Sequence, residues 1–571
     1  MNFARHPKTE RQVCPAVMLA TLGRETRGLL PGLWHHNATN NLLAARDNIR
    51  RSYDLYCRVV WLNAVRVCLL LHLCTTTLLA AADRPVFKIK VVDAQTGRGV
   101  PMVELETVNN IKYYTDSNGI AAFDEPGLMG QQVFFYARSH GYEFRKDGFG
   151  YAGTRLNVQA GGSAQIKIDR VNIAERLYRI TGGGIYRDSL LAGEPIPIRE
   201  PLLNGQVFGQ DSVMVVKYRG RLYWFWGDTN RPKYPLGHFQ TSGATSDLPG
   251  QGGLDPSAGI NLTYFVDKDG FSRAMVPMKA PGVVWIEGLL TVPDPSGRER
   301  MVARYTRMKD LGTMLEHGLI VFNDDTKSFE KLVEFDLNDK ERCPQGHPIR
   351  VKDQGTDYFQ FPIPHPVLRV KADWSHLTNA ASYEAFTCLA PGTRFEKAKS
   401  RVERDANGGV VYGWKTNTSP TGTAEERQLI AAGRLKQEEA RFQLTDVDTD
   451  KPVTMHAGSV NWNEFRRKWI MIAVQTGGTS FLGEVWFAEA DSPTGPWKWA
   501  RKIVTHNNYS FYNPDQHTFF DQDGGRLIYF EGTYTHTFSK NKEQTPRYDY
   551  NQIMYRLDLA SPRLGLPLKP R

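Results

Sequence analysis

Cysteine is scarce in this chain. The 571 residues hold six, and four of them (Cys14, Cys57, Cys68 and Cys74) fall in the first 82 positions. Cys343 and Cys388 remain, enough for one disulfide at most, so the fold has to rest on apolar burial rather than on cross-links. Cys and His are nowhere clustered, which argues against a structural zinc site. Long apolar runs are missing too: Val67–Leu79 spans 13 residues, too few to cross a bilayer comfortably. The triplet Gly182-Gly183-Gly184 is not followed by the Lys-Ser/Thr of a phosphate loop. Charge of one sign is also lacking. The net charge is +10, but ten of the 71 basic and four of the 61 acidic residues lie in the first 82 positions, and the remainder is close to neutral. No basic stripe interleaved with aromatics appears, so nucleic acid is not expected as a partner.

The first 82 residues read as a leader. Arg50, Arg51, Arg58 and Arg66 precede the apolar run, and Ala80-Ala81-Ala82 supplies a small-residue cleavage site before Asp83. This predicts export, with a secreted or periplasmic mature chain and no membrane association after cleavage. The stretch before Asn63 is longer than an ordinary charged n-region and reads as a misassigned start or an extension. An amphipathic membrane anchor is the competing reading.

What the chain does have is aromatic and turn residues: 11% aromatics, 12 Trp and 51 Gly. Residues 211–228 read as two apolar strands around a turn at Arg219-Gly220, with one carboxylate before the first strand and another after the second. The pattern recurs at 459–473 and at 517–531. Strand-turn-strand units repeated at long intervals predict an all-β chain built as a five-bladed β-propeller, here over 201–571. Its inner strands are expected to start near Asp211, Glu287, Gln360, His456 and Gln516. The largest insertion, 424–442, reads as a charged surface helix with Ala431, Leu435 and Phe442 on its apolar side. Residues 83–172 have a different texture. Val86–Val92 alternates as a strand, turn residues follow at 93–99, and further strands are read at 100–106 and 114–123, which predicts a small N-terminal β-sandwich. Residues 173–200 are expected to be a linker.

Two resemblances carry this further. The order strand, Asp93-x-x-Thr96-Gly97-x-x-Val100-Pro101, strand, Thr115-Asp116-x-x-Gly119, aromatic strand resembles the transthyretin-like, carboxypeptidase-regulatory-like modules, over about 80 residues. Such modules are generally accessory, which implies a spacer or docking role. In the larger part, Gln210-Asp211-Ser212-Val213 and Trp285-Ile286-Glu287-Gly288 place carboxylates at strand starts. Trp224-Phe225-Trp226-Gly227-Asp228-Thr229, 459–463 and 488–497 add further short motifs. This resembles the five-bladed glycosidases of the arabinanase/xylosidase class (glycoside hydrolase family 43 and its relatives). It is also similar to a related W-x-F-G-D-T propeller family, some members of which cleave arabinans.

The resemblance implies a secreted glycoside hydrolase acting on a polysaccharide, with Asp211 as base or nucleophile and Glu287 as acid. Its departure is positional: the class carries the acid in its third blade, whereas Glu287 is counted in the second. Glu384 is therefore the reserve acid, and Glu316 a weaker one. Asp228, Trp226, Trp285, His456, Tyr512 and His517 are the candidates for substrate binding. Each has a structural alternative: turn capping for Asp228, core packing for the aromatics and histidines. Asp446-x-Asp448-x-Asp450 lacks the Gly and Glu of a calcium loop, and no metal ligand is assigned. The pattern leaves room for a structural calcium but requires no cofactor. Arg304, Arg307, Lys309 and His317 read either as an anionic-substrate cluster or as a solvated basic face. The alternative function is a non-catalytic propeller that binds carbohydrate or protein.

Overall fold

The computed structural model describes residues 85–566. The expected leader and its cleavage site lie outside the described residues. Among the described residues no helix is long and apolar enough to cross a membrane.

Phe87–Asp93, Ile120–Phe123, Ser163–Arg170 and Tyr142–Glu143 form one four-stranded sheet. Glu104–Thr107, Lys112–Tyr114, Gln132–Arg138 and Gly153–Asn157 form a second. Alternation places Phe87, Ile89 and Val91 on the inner face, where they meet Leu105, Phe123, Phe135 and Ile166 in one core. The two sheets share this core. The Thr-Asp-x-x-Gly motif has a local cause. Asp116 Oδ1 accepts the backbone N–H groups of Asn118 and Ile120, and Gly119 sits at φ +74°, where an added Cβ would lie 2.4 Å from Val100 N.

Five larger sheets follow, beside a small three-stranded one of Gly209–Gln210, Thr229–Arg231 and Tyr234–His238. The first contains Met214–Tyr218, Arg221–Trp226, Ser242–Asp247 and Thr263–Tyr264; the second Val283–Pro293, Glu299–Met308, Met314–Asn323 and Ser328–Glu334. The third contains Ile349–Asp353, Thr356–Pro362, Pro366–Lys371, Glu384–Thr387 and Gly413–Thr416. The fourth is built on Met455–Asn463, Lys468–Gln475, Val485–Ala490 and Trp499–Val504. The fifth contains Ser510–Gln516, Leu527–Thr535 and Asn551–Asp558. Its outer strand is Glu175–Arg179, which pairs antiparallel with Asn551–Asp558. The stretch read as a linker therefore supplies the strand that joins the two ends of the ring.

Packing between sheets is cyclic. Phe225 of the first sheet shares a core with Tyr305 and Phe322 of the second. Val302 and Leu319 of the second meet Phe359 and Val370 of the third. Ile349 and Phe386 of the third meet Val460 and Met471 of the fourth. Ile472 and Phe487 of the fourth meet Phe511 and Phe530 of the fifth. Tyr529 and Met554 of the fifth meet Trp224 and Trp226 of the first. A ring of sheets, each packed face to face on the next, is the propeller solution to leaving no broad sheet face exposed.

Several expected boundaries move. Gln360 lies in the second strand of the third sheet; the first strand is Ile349–Asp353, whose alternating charges hide it. Gln516 ends a first strand, and Thr518–Phe520 and Asp523–Gly525 are 3₁₀ turns, so 517–531 is not a hairpin. In the insertion the helix covers only Thr423–Ala431, and Ala431 is exposed. Leu429 and Leu435 pack against Cys388 and Leu389. The charged surface reading also fails at Glu426, fully buried, whose carboxylate accepts the N–H groups of Arg441 and Phe442. Cys343 and Cys388 are both buried and free.

Candidate active site

The Arg219-Gly220 hairpin returns the chain so that Asp211 and Asp228 lie side by side. The backbone N–H of Asp228 donates to Asp211 Oδ1 at 2.9 Å, and Gly227 N–H donates to Asp211 O at 2.7 Å. Gly227 is required for this: a Cβ there would sit 2.3 Å from Asp211 Oδ1. The Trp-Gly-Asp motif is thus a seat for the preceding strand's carboxylate. Tyr512 donates its hydroxyl to Asp211 Oδ2 at 2.8 Å, and the Tyr550 hydroxyl also bonds this carboxylate. Trp285, from the start of the second sheet, donates its indole N–H to Asp228 Oδ1 at 2.7 Å. The other Asp228 oxygen has no hydrogen-bond partner among the described residues. Asp211, Asp228, Trp285 and Tyr550 are each partly exposed, so solvent reaches the pair.

The two carboxyls differ electrostatically. Burial pushes both up. Around Asp211 this is opposed by hydrogen bonds from Tyr512, Tyr550, the Asp228 N–H and Ser212. Asp228 is raised to about 7 by burial and by the charge of Asp211, with only Trp285 working against it. One carboxyl thus holds a proton near neutral pH beside a partner that is better solvated by donors. The backbone around them is strained: Ser212 (φ +55°), Asn513 (φ +50°) and Tyr550 (φ +59°) all occupy the left-handed region. Such outliers gather at functional sites, where surrounding structure holds them.

The other candidate carboxylates are held by arginines. Glu287, on a bulge before Gly288, accepts from Arg304 Nη1 at 2.5 Å and from Gly346 N–H at 3.3 Å. Glu384 accepts from Arg369 Nε at 2.6 Å, and the same guanidinium binds Asp353. Glu316 takes Tyr305 and Arg307; burial acts to raise it, but Lys331, Tyr305 and Arg307 hold it down to about 2. Arg304 and Arg307 are therefore paired with carboxylates within their own sheet, whereas Lys309 is exposed and His317 buried. Trp226 is 1% exposed and packs on Tyr264 in the core. His456 is exposed on the fourth sheet's first strand.

His517 lines a cavity among the first strands of the sheets. A cavity of about 200 Å³ is lined there by Met214–Lys217, Leu289, His347, Asn461 and Asp515, drawn from all five sheets or their approaches. His347 lies 3.2 Å from Asp515, and fully buried His517 bonds fully buried Glu531 at 2.7 Å. Burial opposes the charged His517 ring, but Glu531, Asp515 and Asp521 raise its pKa overall. Among the described residues no group of three or more His, Cys, Asp or Glu is arranged to hold a metal ion. Asp446 instead caps its own turn, accepting from Asp448 N–H and Thr449.

Sequence reasoning missed Tyr550, His347, Asp515 and Glu531. Tyr550 had no signal: it lies far along the chain, outside any repeat. Asp515 stands beside a first-strand end and was findable from the 513–517 segment.

No protein-family model matches the sequence, and no curated protein matches it. Among solved structures, the chain is similar to an exo-β-1,3-galactanase from Phanerochaete chrysosporium, at 10% identity over 68% of this chain and 65% of that one, TM-score 0.33. It is similar to an α-L-arabinofuranosidase from Fusarium graminearum, at 13% identity over 68% and 98%, TM-score 0.31. A thermostable family-43 glycoside hydrolase matches at 11% identity over 65% and 98%, TM-score 0.29. These overlaps are slight, and the function has to be argued from the residues of the site.

Proposed function

We propose that the protein is an exported glycoside hydrolase whose ring of sheets is a five-bladed propeller and whose catalytic pair is Asp228 and Asp211. The observation that carries this is the Asp228 carboxyl, held at about 7 beside a second carboxyl in a solvent-reachable site. Protonated Asp228 gives its proton to the glycosidic oxygen as the bond to the anomeric carbon breaks. Asp211 either takes a proton from the attacking water or itself attacks the anomeric carbon, and water then releases it. Either route adds one water across the bond. Trp285 fixes the Asp228 carboxyl, and Tyr512 and Tyr550 hold Asp211. The sandwich is an accessory module of the carboxypeptidase-regulatory-like kind. This reading moves the acid from Glu287 and Glu384, each neutralised by an arginine, to Asp228.

A second reading, a propeller that binds glycan without cutting it, draws on those same two ion pairs and on the occupation of both Asp211 oxygens by donors. The test is to incubate the chain from Asp83 onward with arabinans, galactans, uronans and sulfated glycans, beside its Asp211→Asn and Asp228→Asn variants. Sugar release by the wild type that disappears in both variants is expected. Binding without release on every glycan would leave the second reading standing.

A further inference from the structure

Residues 536–550 form the loop that joins Leu527–Thr535 to Asn551–Asp558 in the fifth sheet. The far end of the loop is Tyr550, whose hydroxyl bonds Asp211. The near end is a tight turn: the Ser539 N–H donates to His536 O at 3.1 Å, with Thr537 and Phe538 at the corner. This turn is pinned to the far end. The His536 N–H donates to Asp549 Oδ1 at 2.7 Å, and the His536 ring Nδ1 lies 3.0 Å from the same oxygen. Phe538 is thereby kept at φ +61°, a conformation that suits glycine and strains a bulky residue.

The strained residue presents its ring to solvent. Phe538 is 52% exposed and meets the Tyr512 ring edgewise, with the centroids 5.6 Å apart. The Tyr512 hydroxyl in turn donates to Asp211 Oδ2, so one tyrosine stands between Phe538 and the carboxyl pair. A lone exposed aromatic is ordinary on a protein surface. This one is set apart by its backbone and its place, because glycine would make the same turn without strain.

The groups that hold the pair are neutral: an indole on Asp228, hydroxyls and a backbone N–H on Asp211. Burial, Asp211 and Trp285 are what act on Asp228, with no cation among them. A uronate or sulfate bound there would face carboxylate charge with nothing positive to offset it. An uncharged sugar ring meets no such repulsion, and its C–H face suits an aromatic surface.

We propose that Phe538 is the platform on which an uncharged sugar ring of the substrate lies by its C–H face, beside the bond cut at Asp211 and Asp228. The inference rests on the glycoside-hydrolase reading for the reaction, and the test separates the two.

The test is calorimetric titration of neutral arabino-, galacto- and xylo-oligosaccharides, and of a uronate series, into the full chain carrying Asp228→Asn. It is repeated with Phe538→Ala, Phe538→Tyr or Phe149→Ala added, and the same three changes are assayed for hydrolysis in the otherwise unmodified chain. Phe149 is 90% exposed and serves as an aromatic of the sandwich for comparison. We expect Phe538→Ala to weaken neutral saccharide binding by about 10-fold and to raise KM more than it lowers kcat. Phe538→Tyr and Phe149→Ala should stay within about 2-fold of the parent. Binding by a chain that hydrolyses nothing, weakened by Phe538→Ala alone, keeps the platform and sinks the hydrolase reading. Hydrolysis and binding that Phe538→Ala leaves unchanged overturn the platform and keep the hydrolase. Tighter binding of the uronates, an equal loss with Phe149→Ala, or no binding to any series also overturns the proposal.

Discussion

At the scale of the residue, the decisive feature is a proton. Asp228 has an ordinary value of 3.8 and is raised to about 7 in the fold. Between these values the unfolded chain carries the charged form and the folded chain the neutral one, so stability falls as pH rises across this window and levels off above it. The site therefore costs stability at alkaline pH, by about 4 kcal/mol if the whole shift is counted. Asp228→Asn removes that cost. The variant is expected to melt higher than the wild type at pH 8 but not at pH 4, while its hydrolysis falls by about 10²–10⁴-fold, the usual worth of a general acid. Differential scanning fluorimetry at the two pH values, beside a sugar-release assay, checks both halves. Gly227→Ala acts through position instead. Its Cβ would overlap the Asp211 carboxylate, and displacing that group by about 1 Å is expected to lower kcat/KM by about 10²-fold. The fold should survive, since only the seat of one side chain shifts.

At the scale of the element, the ring depends on Glu175–Arg179. This strand joins the start of the ring to its last sheet and buries Leu177 and Tyr178 against Trp224 and Tyr529. A chain beginning at 181 leaves Asn551–Asp558 as an open edge and is expected to aggregate. One beginning at 172 keeps the strand and should stay more soluble on size-exclusion chromatography. The strand was illegible in the sequence because five residues bordering a Gly-Gly-Gly turn read as a connector, and their partner is almost 400 positions away. The hairpins at 211–228 and 459–473 were legible because both strands and the turn lie within one window, where apolar runs flank a local turn signal. The third sheet was misplaced because Ile349–Asp353 is short and alternates charge, whereas the aromatic run after it reads as the stronger strand. At the site, Asp211 was readable from its place before a strand. The Asp228 proton was not, because its cause is burial and a neighbouring charge, and neither is a property of local sequence.

At the scale of the whole molecule, the sandwich is bolted to the ring by buried polar groups. Arg176 is 1% exposed, donates to Pro101 O at 3.1 Å and to His140 O at 3.0 Å, and lies over the Tyr142 ring at 5.1 Å. Tyr548 of the propeller donates to Thr115 O at 2.6 Å and accepts from Met102 N–H at 3.1 Å. Bonds of this kind couple the two parts, so the chain from residue 83 is expected to unfold in a single calorimetric transition. Arg176→Ala leaves buried carbonyls without a donor and should cost about 2–4 kcal/mol. It should also split the transition in two if this side chain carries most of the coupling.

We propose Asp228 as the proton donor of a glycosidase, and the pH dependence of kcat/KM on whichever glycan the wild type cuts tests this. An alkaline limb is expected with an apparent pKa near 7, set by burial and by the charge of Asp211. In Asp228→Asn the rate on that glycan should fall by about 10²–10⁴-fold and lose the alkaline limb. A wild-type rate that stays flat from pH 6 to about 9, with Asp228→Asn as active as the parent, would contradict the account.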